Sequence, residues 1–261
     1  MRATWDPGRY LQFADDRARP FVDLLARVPG QARTVVDLGC GPGNLTPHIR
    51  SRFADARLVG VDSSPEMIER ARRDDPATDY VLADVSTWRP DEPVDVIVSN
   101  ALFQWIDDRF TVIRELATSS VRPGGVFALQ VPANGDSPSH RLLFEIANRE
   151  PYAEHTADVT DRFFVDGPEL YLDLFAELGQ EGSNWTADAW STTYLHVLPG
   201  DDPVFDWISG TGARPVLQSL PDDLRPRFEA EYKAALRDAF PRRAYGTVLP
   251  FTRTFCVAVA P

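Results

Sequence analysis

The sequence predicts an open, doubly wound α/β fold: a mostly parallel seven-stranded sheet with a helical cap formed by insertions in the C-terminal half. Three observations carry this expectation. Short apolar runs at 34–38, 56–62, 79–85, 94–100 and 126–132 alternate with helical segments, and that alternation calls for crossover helices between parallel strands. The first run enters a glycine-rich turn, "VVDLGCGPG" (35–43). Beyond residue 135 the pattern changes to proline-broken helical stretches and two further strands, 191–198 and 251–259.

Each element has a local reason. Leu11, Ala14, Ala18, Phe21, Leu24, Leu25 and Val28 recur at helical spacing, which predicts a helix over 6–28. Residues 44–53 continue the glycine turn as a helix. Ser64-Pro65-Glu66 is a helix start, with a serine cap and proline at the first helical position. A helix over 107–120 leads to the turn Arg122-Pro123-Gly124-Gly125 and the fifth strand. In the second half, 139–150 and 168–178 read as helices and 202–240 as a helix-rich stretch. The last two strands are expected as antiparallel neighbours at the sheet edge. We expect one domain over 1–261, with a ligand-binding core at about 30–135, cap elements at about 139–165 and 202–245, and the N-terminal helix beside them.

Composition narrows the function. A net charge of -12 argues against nucleic acid as the main partner, because phosphate binding needs a basic face. Cys40 and Cys256 are too far apart in sequence to suggest a disulfide framework or a metal motif. The opening residues, "MRATWDPGRYLQF", have no apolar core of a signal peptide, and no apolar run has the length of a membrane span. A cytoplasmic protein is the expectation. His48, His140, His155 and His196 are scattered, so no metal is expected. No G-x-S-x-G elbow supports a hydrolase.

The glycine turn leaves two ligands to weigh. Gly39 and Gly41 fit the first two positions of the dinucleotide pattern G-x-G-x-x-G, but the third falls on Asn44. The alternative, acid-x-Gly-x-Gly-x-Gly, fits throughout with Asp37, Gly39, Gly41 and Gly43. That pattern suits S-adenosylmethionine, which has no pyrophosphate but carries an ammonium group that Asp37 can help hold. Asp62 closes the second strand, roughly 20 residues on, where an acid meets ribose hydroxyls; Ser63 adjoins it. Asp84, in "LADV", closes the third strand and suits the exocyclic amine of adenine. Met67 and Val85 are placed to flank the ring. Asn100 closes the fourth strand and is expected at the methionine end. Singly, each has a plainer use: a turn, a helix cap, a solvated loop acid, a helix-core methionine. Their coincidence at successive strand ends carries the reading.

With these residues in place, the first half resembles the class I S-adenosylmethionine-dependent methyltransferases, with their Rossmann-like fold. Nearly the whole chain resembles one family among them, the trans-aconitate methyltransferases. The matching pieces are "WDPGRYLQF", "RARPFVDLLARV", "VVDLGCGPGNLT", "GVDSSPEMI", "ALFQWI", "LQVPAN", "STTYLHVLP" and "DWISGTGARPVLQSL". Ala213 stands where the family pattern has a bulkier aliphatic and Val216 where it has Trp. The resemblance implies transfer of a methyl group to a carboxylate of trans-aconitate, a small polycarboxylate. Such an acceptor is ionised at neutral pH and needs no general base. It needs cations to clamp its other carboxylates and donors to orient the reacting one. Arg214, in "TGARP", ranks first as the clamp, in a turn fixed by Gly212 and Pro215. Tyr194 and His196 share a strand face. Gln104 and Trp105 follow the fourth strand, and Tyr10 and Arg19 lie on the N-terminal helix. The alternatives are a methyltransferase for another small acid or hydroxylated metabolite, a non-catalytic S-adenosylmethionine-binding protein, and, least favoured, a dinucleotide oxidoreductase. Oligomeric state has no signal in the sequence.

Overall fold

A computed structural model describes residues 14–160, 167–179 and 184–261. The expected helical residues 6–13, Tyr10 among them, lie outside the described residues. Two compact units divide the chain. Over described residues, the core unit comprises 14–132, 167–192 and 253–261, and the helical unit 133–160 and 193–252.

The core unit begins with α1 (Ala14–Arg27) and β1 (Thr34–Leu38), followed by α2 (Thr46–Arg52), β2 (Arg57–Asp62), α3 (Pro65–Asp74) and β3 (Asp79–Leu82). β4 (Val94–Asn100) follows, then a single tight turn at Phe103–Trp105, α4 (Arg109–Ser120) and β5 (Val121–Pro132). Later segments of the chain supply α7 (Pro168–Leu178) and parts of β6 (Thr186–Leu198) and β7 (Thr247–Val259), of which 193–198 and 247–252 are counted with the helical unit. The seven strands lie in the order β3-β2-β1-β4-β5-β7-β6. β1 runs parallel to β2 and β4, β2 to β3, and β4 to β5, whereas β7 is antiparallel to β5. The direction of growth reverses between β1 and β4, the switch point at which open α/β sheets bind ligands.

The central strands are apolar because both faces are covered. Val36, Leu38, Ile97, Phe127 and Leu129 are fully enclosed in one core with Ile113, Leu116 and Phe175. α1 buries Phe21, Leu24 and Leu25, and Val28 is buried just beyond its end, at positions marked by the helical spacing. The Ser64 hydroxyl accepts from the Met67 amide at 3.3 Å, so the expected cap starts α3.

Several strand boundaries differ from expectation. β3 stops at Leu82, because Asp84 folds back locally: its Oδ1 accepts from the Ser86 amide at 3.0 Å and the Ser86 hydroxyl at 2.6 Å. Such side-chain turns compete with strand pairing. β6 and β7 each run for 13 residues and begin earlier than expected. The segment 122–125 belongs to β5, where pairing with β4 shifts register between Val94 and Val96.

The helical unit holds α5 (Pro138–Ala147), α6 (Ala153–Thr160), α8 (Pro203–Ser209), α9 (Arg214–Ser219) and α10 (Arg225–Ala239). Its core is aromatic, with Tyr152, Trp207, Phe228 and Tyr232 at its centre. The Tyr232 hydroxyl donates to the Ser139 carbonyl at 2.9 Å, tying α10 to α5. Among the described residues no helix is long and apolar enough to cross a membrane.

Gly60 on β2 illustrates how closely the core unit is packed. A Cβ there would stand 2.6 Å from Tyr80 Cδ1 and 3.0 Å from Cys40 Sγ. Gly60→Ala is expected to destabilise the protein by ~1–3 kcal/mol through overpacking, read as a lowered urea midpoint at unchanged m-value; an unchanged midpoint would contradict this packing.

Candidate functional site

The chain leaves β1 through three glycines in the left-handed region, Gly39 (φ 72°), Gly41 (φ 55°) and Gly43 (φ 76°). Side chains are strained in that conformation. A Cβ at Gly39 would also lie 2.9 Å from Leu102 Cβ, so the glycine turn is pressed against the segment that follows β4. Among the described residues nothing lies within 4 Å of the Cβ position at Gly41.

Asp62, the last residue of β2, fixes this turn. Its Oδ2 accepts from the Gly41 amide at 3.0 Å and its Oδ1 from the Ser64 amide at 2.9 Å. The carboxylate keeps acceptor capacity for a ligand hydroxyl. Burial raises the Asp62 pKa above the ordinary carboxylate range, while the amides of Ser64, Gly41 and Ser63 lower it again. Ser63 itself is exposed.

Asp37 lies on β1, one residue before its end, and is buried. Burial first, and the neighbouring Asp62 carboxylate second, raise its pKa to about 7. A cation placed beside Asp37 would relieve this strain, so the chemistry of the turn fits an ammonium-bearing ligand.

The end of β4 adds amides. Asn100 is buried, and its Oδ1 accepts from Gln130 Nε2 on β5. Ala101 has φ 56°, an uncommon conformation for a residue with a side chain. Its carbonyl accepts from Gln104 Nε2 at 2.6 Å, and the buried Gln104 Oε1 has no hydrogen-bond partner among the described residues. Trp105, in the same turn, is 39% exposed.

The remaining candidates fall as follows. Met67 is buried on α3, and Val85 packs into the main core. Asp84 is exposed two residues beyond β3, in its turn with Ser86. Arg19 lies on the exposed side of α1. In the helical unit, Tyr194 and His196 are buried side by side on β6, ring centroids 6.4 Å apart, and His196 packs on Trp207 at 4.4 Å. Arg214 is the first residue of α9, where the sequence suggested a turn, because Pro215 suits the first helical turn and starts the helix there. Arg214 is half-buried, which lowers its pKa. Ala213 and Val216 are fully buried in the helical-unit core. A separate concavity of about 540 Å³ in that unit is lined by Ser137, Phe240, Arg243 and Pro250 among others, and by none of these candidates. Among the described residues no group of three or more His, Cys, Asp or Glu is placed to hold a metal ion.

The sequence reading missed Gln130 and Arg253. Arg253, buried on β7, donates through Nη1 to Gln130 Oε1 at 3.4 Å. The cross-strand register that joins them has no periodic signal in the chain.

The doubly wound sheet, the acid-glycine turn at its switch point and the strand-end carboxylate bonded to that turn define a class I S-adenosylmethionine-dependent methyltransferase. Residues 35–125 match the family described as "Methyltransferase domain". A trans-aconitate 2-methyltransferase of Streptomyces avermitilis is 46% identical, over 98% of this chain and 96% of the relative. One from Streptomyces coelicolor is 47% identical, over 99% and 87%. Among solved structures, the plantazolicin methyltransferase BpumL, crystallised with a triazolic desmethyl analogue and SAH, shares the fold with a TM-score of 0.57 at 12% identity, over 97% of this chain and 88% of that one. The chain belongs to the trans-aconitate 2-methyltransferase family.

The state of Asp37 has a consequence for stability. The folded chain keeps its carboxyl protonated up to about pH 7, whereas the unfolded chain ionises it near 3.8. Between those values the folded state binds the extra proton, so unfolding free energy falls as pH rises and levels off above about 7. The gap corresponds to at most ~4 kcal/mol. Asp37→Asn, without cofactor, is therefore expected to be more stable than the parent at pH 8 and to converge on it towards pH 4, as urea unfolding at the two pH values would show. A constant difference would refute the raised pKa.

Proposed function

We propose that the protein transfers the methyl group of S-adenosylmethionine to a carboxylate of trans-aconitate, giving a monomethyl ester and S-adenosylhomocysteine. The observation that carries this reading is the Gly39–Gly43 turn bonded to Asp62, in a chain that aligns over nearly its full length with relatives of that name. S-adenosylmethionine, when bound, supplies a methyl group activated on a sulfonium.

The residues divide the work by charge. Asp62 accepts the ribose hydroxyls while its amide bonds hold the turn in shape. Asp37 offers a carboxylate to the methionine ammonium and Asn100 a donor to the same amino-acid end; Gln104, expected from the sequence at the methyl acceptor, is assigned instead as an acceptor to that end, because its Nε2 is taken by the Ala101 carbonyl. Asp84, Ser63, Met67 and Val85 belong to the adenosine end. The acceptor carboxylate is already a nucleophile, so no residue is assigned as a general base. Rate enhancement comes from positioning and from removal of water around the two charged reactants. Arg214 clamps the non-reacting carboxylates, and its planar fork suits them. Tyr194, His196, Trp105, Tyr10 and Arg19 complete the proposed acceptor set. The small side chains at Ala213 and Val216 favour a second reading, in which another small polycarboxylate is the acceptor.

The test is direct. Protein, methyl-labelled S-adenosylmethionine and trans-aconitate are expected to yield a base-labile labelled ester by mass spectrometry. Cofactor binding without any ester would transfer the acceptor role to another small acid. Arg214→Ala is expected to raise the KM for trans-aconitate at least ~10-fold, the loss of a charge-assisted pair, while the Kd for S-adenosylhomocysteine changes less than about twofold on that same accounting. Equal loss of both would make Arg214 a folding residue. Asp62→Ala is expected to reverse the pattern, weakening S-adenosylhomocysteine binding first.

A further inference from the structure

We propose that Arg253 is a positioning residue: through Gln130 it fixes the amide of Asn100 so that β4 ends in a hydrogen-bond donor directed at the cofactor's carboxylate. The inference rests on the cofactor reading above and concerns the methionine end of that site.

Asn100, Gln130 and Arg253 stand on three neighbouring strands, β4, β5 and β7, all within the core unit. Register places Asn100 opposite Gln130, and Arg253 opposite Pro132, two residues further along β5. Gln130 and Pro132 therefore share a face of the sheet, which brings Arg253 diagonally beside Gln130. All three polar side chains are buried, at 9%, 1% and 7% exposure. Arg253 Nη1 donates to Gln130 Oε1 at 3.4 Å, and Gln130 Nε2 donates to Asn100 Oδ1.

The direction of this chain follows from donor and acceptor inventories. A primary amide has nearly the same shape when flipped, so two facing amides alone are satisfied in either sense. A guanidinium has five donors and no acceptor. Beside it, Gln130 must turn its oxygen towards Arg253, and a flip would set donor against donor. The Gln130 nitrogen then faces Asn100, whose oxygen must receive it. What Asn100 has left to offer is its NH2, which meets no acceptor among the described residues. One arginine thus removes the degeneracy of two successive amides. The backbone holds the pair in place, because the Ala101 amide donates to the Gln130 carbonyl at 2.9 Å.

The next residues complete the pattern with the opposite polarity. Gln104 Nε2 is committed to the Ala101 carbonyl, so Gln104 presents its buried oxygen as an acceptor. A donor from Asn100 and an acceptor from Gln104 suit a ligand end that carries both a carboxylate and an ammonium. Burial of a cation is costly unless its donors are met, and the Gln130 oxygen meets one of them.

Calorimetric titration with S-adenosylhomocysteine and with 5′-methylthioadenosine, which lacks the amino-acid end, tests the assignment. Arg253→Met is expected to weaken S-adenosylhomocysteine ~10-fold, the scale of a lost directed hydrogen bond, and to leave 5′-methylthioadenosine unchanged. Arg253→Lys, which keeps a donor, is expected to restore most of the affinity. Gln130→Glu keeps a partner for Arg253 but accepts only; it turns the Asn100 NH2 inward and is expected to weaken S-adenosylhomocysteine at least as much. Equal weakening of both ligands, or none, overturns the proposal and leaves the cofactor reading standing. Failure of the parent protein to bind S-adenosylhomocysteine overturns the cofactor reading and this inference with it. Should Arg253→Met fail to fold, Gln130→Glu decides by the same two-ligand comparison.

Discussion

The bond from the Gly41 amide to Asp62 is the contact on which the ligand end of the sheet depends. It joins the turn after β1 to the end of β2 at 3.0 Å. The second oxygen of the same carboxylate takes the Ser64 amide and so sets the start of α3. One side chain thereby fixes two backbone segments. The turn can obey because three of its residues are glycines with positive φ. A bulkier turn would meet Leu102 on one side and Tyr80 on the other, since Cβ atoms at Gly39 and Gly43 would fall 2.9 and 2.5 Å from them.

Two kinds of polar group lie at or just beyond the ends of β1, β2 and β4, and they differ in what constrains them. Asp37 and Asp62 are carboxylates in a buried setting, and their proximity raises the proton affinity of Asp37. They favour a positively charged guest. Asn100 and Gln104 are neutral amides whose choice between donor and acceptor is imposed by their neighbours, Gln130 and the Ala101 carbonyl. Ala101 is central to this arrangement: its positive φ turns the chain sharply after β4, its N–H holds β5, and its carbonyl holds Gln104. A strained residue at a functional strand end is expected where the surrounding bonds over-determine it.

Much of this was legible in the chain. The strands β1, β2 and β4, the Ser64 cap and α7 follow from apolar runs, cap chemistry and helical spacing, because each is a local signal. The glycine turn named the ligand class for the same reason: its residues are consecutive. The end of β3 was misplaced because Asp84 bonds to Ser86 instead of continuing the strand. The start of β6 was missed because small and polar residues dilute its alternation, as in "TADAWST", and that of β7 because Pro250 interrupts the run. Arg214 was read as a turn residue because Gly212 and Pro215 bracket it, whereas proline in that place begins α9. Gln130 and Arg253 are 123 residues apart and meet only through the order β5-β7. No pattern of periodicity or spacing encodes such a meeting. The sequence likewise located Asp37 but not its raised pKa, which depends on burial and on Asp62 together.

Charge sets the last constraint. A protein of net charge -12 repels a polycarboxylate at long range, and the acids at its strand ends add to that repulsion locally. Acceptor recognition therefore needs short-range cationic contacts, which is why a half-buried guanidinium such as Arg214 is proposed for it. The methionine end poses the opposite problem, since it carries both signs. A second arginine placed directly there would favour its carboxylate but oppose its ammonium and the sulfonium beyond. Holding the cation two strands away, and passing only its directional effect through Gln130 to a neutral Asn100, supplies a donor of fixed orientation while the guanidinium charge stays remote. The proposed relay and the acid pair are complementary in charge: Asp37 and Asp62 offer negative groups to a cationic ligand, and the Arg253 guanidinium is kept two strands from Asn100.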